Sequence, residues 1–177
     1  MKKTISLILC ALLLVALCAC GKTENTPTSV VRASLDALKN GTSDDSSMFG
    51  NVGGIAGGDD AMYAALFGSL TYTVKGERVN GDRAEVDLDV STADIPAALN
   101  AYLVEAGNHA GDDDWDADGS YFVTLLSSPD AARKDFSVTA HLVMTDGEWV
   151  LPKEENNDLL NAATGGLYDF ANTAIEE

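Results

Sequence analysis

Leu70-Thr71-Tyr72-Thr73-Val74-Lys75, followed beyond Asn80-Gly81-Asp82 by Ala84-Glu85-Val86-Asp87-Leu88-Asp89-Val90, is the stretch that decides the fold. Apolar residues fall at every second position of both runs, the period of a strand whose successive side chains point to opposite faces. Asn-Gly between two such runs signals a hairpin, because both residues accept the positive φ that a tight turn of matching twist needs. One face, with Tyr72, Val74, Val86, Leu88 and Val90, should be buried, and the other, with Glu85, Asp87 and Asp89, should be wet. The pattern returns later in the chain. Phe136, Val138, Ala140, Leu142 and Met144 alternate with Ser137, Thr139, His141, Val143 and Thr145, and Asp146-Gly147 turns the chain into Glu148-Trp149-Val150-Leu151.

Helices flank and separate the two hairpins. Thr26-Pro27 reads as an N-cap and a first helical residue; Val30, Val31, Leu35 and Leu38 follow at helical spacing, and Asn40-Gly41 supplies the stop. The Ser-, Asp- and Gly-rich stretch 41–60 reads as a flexible connection. Asp59 or Asp60 can then cap a short helix carrying Met62, Tyr63, Leu66 and Phe67. Asp94 caps another, running to Ala106 with a stripe of Ala98, Leu99, Tyr102 and Leu103. Trp115, Tyr121, Phe122, Leu125 and Leu126 mark a further helical segment ending near Pro129. Leu160, Ala163, Leu167, Phe170 and Ala174 step by three and four residues, a C-terminal helix weakened at Gly165-Gly166. Strands clustered in hairpins with helices between them define an α+β fold: an antiparallel sheet of two hairpins packed against N-terminal, central and C-terminal helices. Residues 27–177 suit one domain.

The N-terminal segment has a different character. Lys2 and Lys3 form a positive n-region, and Ile5 to Leu17 an apolar run too short to span a bilayer. Leu17-Cys18-Ala19-Cys20 resembles a bacterial lipobox. That resemblance implies a signal peptide over residues 1–19 and a thioether-linked diacylglycerol on Cys20, with palmitate-type acyl chains. Residues 20–26 would then be a tether on the extracytoplasmic face of the cell membrane. The alternatives are a plain secretory signal, which would leave Cys20 an odd thiol in an oxidising compartment, and an uncleaved anchor, which Gly21-Lys22-Thr23-Glu24 cuts short. Each buried CH2 contributes about 0.8 kcal/mol, so two acyl chains hold a membrane where one is marginal.

Charge and cysteine usage narrow the function classes. The chain carries 11 Lys+Arg against 28 Asp+Glu, a formal net charge of −17. Such a surface disfavours nucleic acid and anionic headgroups, and leaves cations, basic peptides and uncharged ligands open. Cys10, Cys18 and Cys20 all precede the domain, so its stability must come from an apolar core and not from disulfides.

Several of these motifs carry a family resemblance. Pro27-Thr28-Ser29-Val30-Val31 with Leu35-Asp36-Ala37-Leu38-Lys39-Asn40-Gly41 resembles the first helix of NTF2-like (cystatin-like) domains in lipoproteins of Gram-positive bacteria. Val79-Asn80-Gly81-Asp82-Arg83-Ala84-Glu85-Val86 and Asp146-Gly147-Glu148-Trp149-Val150 resemble their hairpins, the Trp packing onto the core. The likeness covers most of residues 27–170 and departs at 50–58 and 112–118. It implies a curved antiparallel sheet wrapped around helices, often with a pocket between them, and no particular activity.

Asp112-Asp113-Asp114-Trp115-Asp116-Ala117-Asp118-Gly119 is the sharpest local motif. Asp114, Asp116, Asp118 and Gly119 match the first acidic positions and the glycine of a calcium loop. Phe122 and Leu125 stand where the later ligands belong, and the missing Glu limits the motif to weak Ca2+ binding or to a solvated acidic helix start. His109 and His141 lack the companions of a zinc site. The glycines of 50–58 lack the Gly-Lys-Ser/Thr ending of a phosphate loop, and no Gly-x-Ser-x-Gly elbow occurs. Tyr72, Tyr102, Tyr121 and Asp87 are the residues a pocket enzyme would use, but aromatics at such positions are more often core. The sequence therefore points to a membrane-tethered interaction module with no catalytic role. Its alternatives are a small-ligand carrier with a pocket between sheet and helices and, behind that, a pocket enzyme.

Overall fold

The computed structural model describes residues 25–175 apart from 46, 51, 113 and 117. The signal segment and the Cys20 lipidation site lie outside the described residues. Among the described residues twelve elements follow in order. They are α1 (Pro27–Asn40), a 3-10 turn (Val52–Ala56), α2 (Asp60–Phe67), β1 (Thr71–Asn80), β2 (Arg83–Ala93), α3 (Ile95–Asn108) and α4 (Ser120–Ser127). Then come β3 (Arg133–Thr145), β4 (Glu148–Val150), a second 3-10 turn (Lys153–Glu155), α5 (Asn157–Ala163) and α6 (Leu167–Ile175). The fold is α+β, with one antiparallel four-stranded sheet of order β1-β2-β3-β4.

Local chemistry sets the element ends as the sequence anticipates. Thr26 Oγ1 accepts from the Ser29 N–H while Ser29 Oγ accepts from the Thr26 N–H, a reciprocal cap, and Gly41 ends α1 in the left-handed region at φ 69°. Asp59 and Asp94 cap α2 and α3 by accepting from the N–H groups of Met62 and Ala97. At the second hairpin Asp146 and Gly147 both take positive φ, as a tight two-residue loop demands. At the first, Asn80 pairs with Arg83, so the loop is Gly81-Asp82, one residue later than the Asn-Gly signal suggests.

Packing follows the two-residue period. Ala84, Val86, Leu88, Val90, Ala140 and Leu142 are buried on one face of the sheet, against Val31, Leu35 and Leu38 of α1 and Leu159, Leu160 and Ala163 of α5. Each fully buried Val or Leu contributes about 1.5–3 kcal/mol, so this layer is the main source of stability. Trp149 packs onto the core from β4. Met144, expected inward, is partly exposed because the sheet ends there in a hairpin turn.

Three further expectations change. The stretch read as a flexible connection sends Met48, Phe49, Val52 and Ala56 into the core, so its apolar residues outweigh its glycines. Leu103, placed on the buried stripe of α3, is 56% exposed, because α3 packs chiefly on α4 and α6 rather than on the sheet. The single C-terminal helix is two helices, α5 and α6, divided at Gly165 and Gly166 with φ of 62° and 87°. No helix among the described residues is long and apolar enough to cross a membrane.

Candidate functional site

Three places among the described residues bear on the residues singled out in the sequence. One is the outer, polar face of the sheet. β2 and β3 pair without a break from Arg83↔Val143 to Ala93↔Arg133, which sets Glu85, Asp87 and Asp89 beside His141, Thr139 and Ser137. Arg78 forks onto Glu85 (2.9 Å) and Asp87, Lys75 meets Asp89 (3.0 Å), and Thr139 and Ser137 donate to Asp87 and Asp89 (2.9 Å each). Arg78 above all, then Thr139, holds the Asp87 carboxyl below its usual range; Lys75 and Ser137 do the same for Asp89. Arg78 is in turn held more firmly protonated by those carboxylates. These are solvated, hydrogen-bonded pairs, and Asp87 sits on the wet face as the alternation indicates. His141 lies there too, half-exposed, with Nδ1 3.9 Å from Glu85.

The second place is the acidic loop before α4. Trp115 packs against Tyr102, Tyr121 and His109, the last stacked on the indole at 5.0 Å and 9°. Burial first, and the Asp116 charge second, raise the Tyr102 pKa. Asp116 Oδ1 accepts from the Tyr121 N–H at 2.7 Å and from Ser120 Oγ at 3.4 Å, and Asp118 Oδ1 accepts from the Ser120 N–H at 3.1 Å. Two of the three calcium-motif carboxylates are thus directed at the N-terminus of α4, whose unpaired N–H groups favour anions. Asp114 joins neither contact; its own N–H donates to Asp112 Oδ1 at 3.3 Å. Among the described residues no three His, Cys, Asp or Glu side chains converge as a metal site. Because Asp116 and Asp118 are engaged at the start of α4, calcium titrated into the protein is expected to give no saturable change in tryptophan fluorescence below about 1 mM. Saturation in that range would show that Asp116 and Asp118 leave the helix end to gather a cation.

The third place is an apolar cleft of about 360 Å³ among helices, not between helices and sheet. Ile55, Met62, Leu66, Leu99, Phe122 and Leu167 line it, with Asp59 and Asp118 at its rim. Ile55 is 50% exposed there. Of the tyrosines considered for a pocket enzyme, none lines this cleft. Tyr72 packs on the core and donates to Asp36 of α1 at 2.8 Å; burial, then Asp36, pushes its pKa up to about 12. Tyr102 and Tyr121 belong to the Trp115 cluster.

One polar group that sequence reasoning missed is buried. Asn156 is 1% exposed, and its side-chain amide both accepts from the His141 N–H (2.8 Å) and donates to the His141 and Pro152 carbonyls (2.8 and 2.7 Å). It stands at the edge of β3 in the place a neighbouring strand would take. No family model, curated protein or solved structure matches this chain.

Proposed function

We propose that the chain is an NTF2-like lipoprotein domain, held on the extracytoplasmic face of the cell membrane by a diacylglycerol on Cys20, and that it works there as an interaction module for another protein, without catalysis. The observation that carries this reading is the filled layer between sheet and helices, where Val86, Leu88, Val90 and Leu142 meet α1 and α5 with almost no exposure. A carrier or enzyme with its pocket between sheet and helices would need that space, so this reading puts the working parts on the outer surfaces. Turn chemistry and element order support the family. The strongly acidic composition favours a basic or uncharged partner over an acidic one. The apolar cleft bounded by Ile55, Leu99 and Phe122 favours a second reading, a carrier of an uncharged small ligand seated between helices.

The anchor is tested in a bacterial host. Cys20→Ala is expected to abolish lipid labelling and leave the protein either as uncleaved precursor or free in the medium. Unchanged processing and membrane retention would overturn the assignment.

A further inference from the structure

The interaction reading gains a location from the open edge of β3. β4 covers β3 only at Val143–Thr145, and Asn156 then satisfies both backbone groups of His141. In an antiparallel ladder, residues two apart aim their N–H and C=O the same way. Thr139, Ser137, Asp135 and Arg133 therefore point theirs in the direction of His141, away from β2, and no strand or side chain among the described residues meets them. The edge is regular, since the β2–β3 register has no bulge. The opposite edge of the sheet is blunted: β1 is interrupted between Val74 and Gly76, and Glu77 and Tyr72 reach across to Thr28 and Asp36 of α1.

The side chains flanking the β3 edge specify what fits. On the inner face Phe136 and Val138 are only partly buried, whereas Ala140 and Leu142 farther along are covered. On the outer face Asp135 and Ser137 open onto a shallow hollow of about 400 Å³ shared with Thr71, Thr73, Asp89 and Ser91. Asp135 has no ion-pair or hydrogen-bond partner among the described residues, while Asp87 and Asp89 are matched by Arg78 and Lys75.

We propose that β3 residues 133–139 accept, by strand addition, an extended segment of another protein that alternates apolar with polar residues and places a basic one opposite Asp135. Main-chain hydrogen bonds supply the affinity, and the apolar ledge and Asp135 supply register and sign. A second copy of this chain is a poorer occupant, because each brings a formal charge of −17. The proposal rests on the interaction-module reading.

The test uses the full chain in mild detergent and a fluorescein-labelled peptide of about seven residues, threonine alternating with valine, with one lysine opposite Asp135. Saturable anisotropy is expected, with new hydrogen-exchange protection at the amides of Asp135, Ser137 and Thr139. Ser137→Pro removes the outward N–H together with the exposed hydroxyl bond to Asp89, which Lys75 still holds, and should keep the fold, yet weaken binding about tenfold or more. Ser137→Ala, which loses the hydroxyl alone, should bind as the unmutated protein does. A peptide N-methylated on its edge-facing amides should fail on the unmutated protein, which tests the proposal even if Ser137→Pro does not fold. Asp135→Lys should reverse the preference from a lysine to a glutamate peptide. No saturation up to about 1 mM, or binding indifferent to methylation, overturns the proposal. Self-association that protects the same amides without peptide overturns it in favour of a second copy. Nile red, an uncharged apolar probe, separates the two readings. Stoichiometric uptake lost in Leu99→Asp would move the function to the helical cleft and sink the interaction module itself, whereas failure of the peptide without dye uptake sinks the edge alone.

Discussion

Asn156→Ala is expected to destabilise the protein by about 2–4 kcal/mol. The amide makes three hydrogen bonds of 2.7–2.8 Å in a site with 1% exposure. Its truncation orphans the His141 N–H and two carbonyls where the chain turns from β4 toward α5. An unsatisfied buried polar group costs about 1–3 kcal/mol, and some of this is recovered if water enters the vacated space. Melting temperature should fall by roughly 5–15 °C, since 1 kcal/mol corresponds to about 2–4 °C in a domain of this size. Asn156→Asp should be worse at neutral pH, because a carboxylate would face the His141 and Pro152 carbonyls without a proton to donate. Burial and those carbonyls would raise its pKa in the folded state, so the deficit should shrink as pH falls through that raised value. Denaturant unfolding followed by tryptophan fluorescence checks both. A loss under about 0.5 kcal/mol for Asn156→Ala would mean that the clamp does not hold the edge of β3. The same variant bears on partner binding, because removing the amide extends the open edge by His141.

Asn156 also shows where the sequence runs out. Its partners at His141 and Pro152 belong to no period, and an Asn between an acidic turn and a helix reads as ordinary turn chemistry. What was legible is what is encoded within a few residues: the Thr26, Asp59 and Asp94 caps, the two hairpins, and the inward set from Ala84 to Val90. What was illegible depends on distant partners. Glu77 accepts from the Thr28 N–H at the start of α1, which has no acidic residue of its own in the first turn. Leu103 looked like core because the α3 pattern continues past the point where its neighbours do. The acidic motif before α4 was ambiguous for a physical reason. Carboxylates followed by glycine suit a cation loop and a helix N-terminus alike, and in this structure Asp116 and Asp118 face the N–H groups of Tyr121 and Ser120. The open edge of β3 could not be read from the strand itself, since it depends on how early β4 stops.

Gly165→Ala should be at least as damaging as loss of Asn156, costing about 3 kcal/mol or more. The helical spacing from Leu160 to Ala174 runs across this residue, yet the chain breaks there. Gly165 takes φ 62°, and a Cβ on it would lie 2.1 Å from the Ala93 carbonyl oxygen and 3.2 Å from Ile95 Cγ1. Two costs add. Left-handed backbone disfavours any side chain by about 1–2 kcal/mol, and the close approach forces either the end of β2 or the α5–α6 corner to move. Gly81 separates them: its φ is 64°, almost the same, but nothing lies within 4 Å of its Cβ position. Gly81→Ala should therefore show the conformational cost alone, about 1–2 kcal/mol. Gly166→Ala should fall near it, because the nearest atom at 2.8 Å is the flexible Nζ of Lys134, which can swing aside. Unfolding free energies for the three variants give the ranking. If Gly165→Ala costs no more than Gly81→Ala, the contact between the α5–α6 corner and the end of β2 yields freely. The filled layer beneath the sheet would then not be closed at that corner, and the space a carrier needs would be within reach.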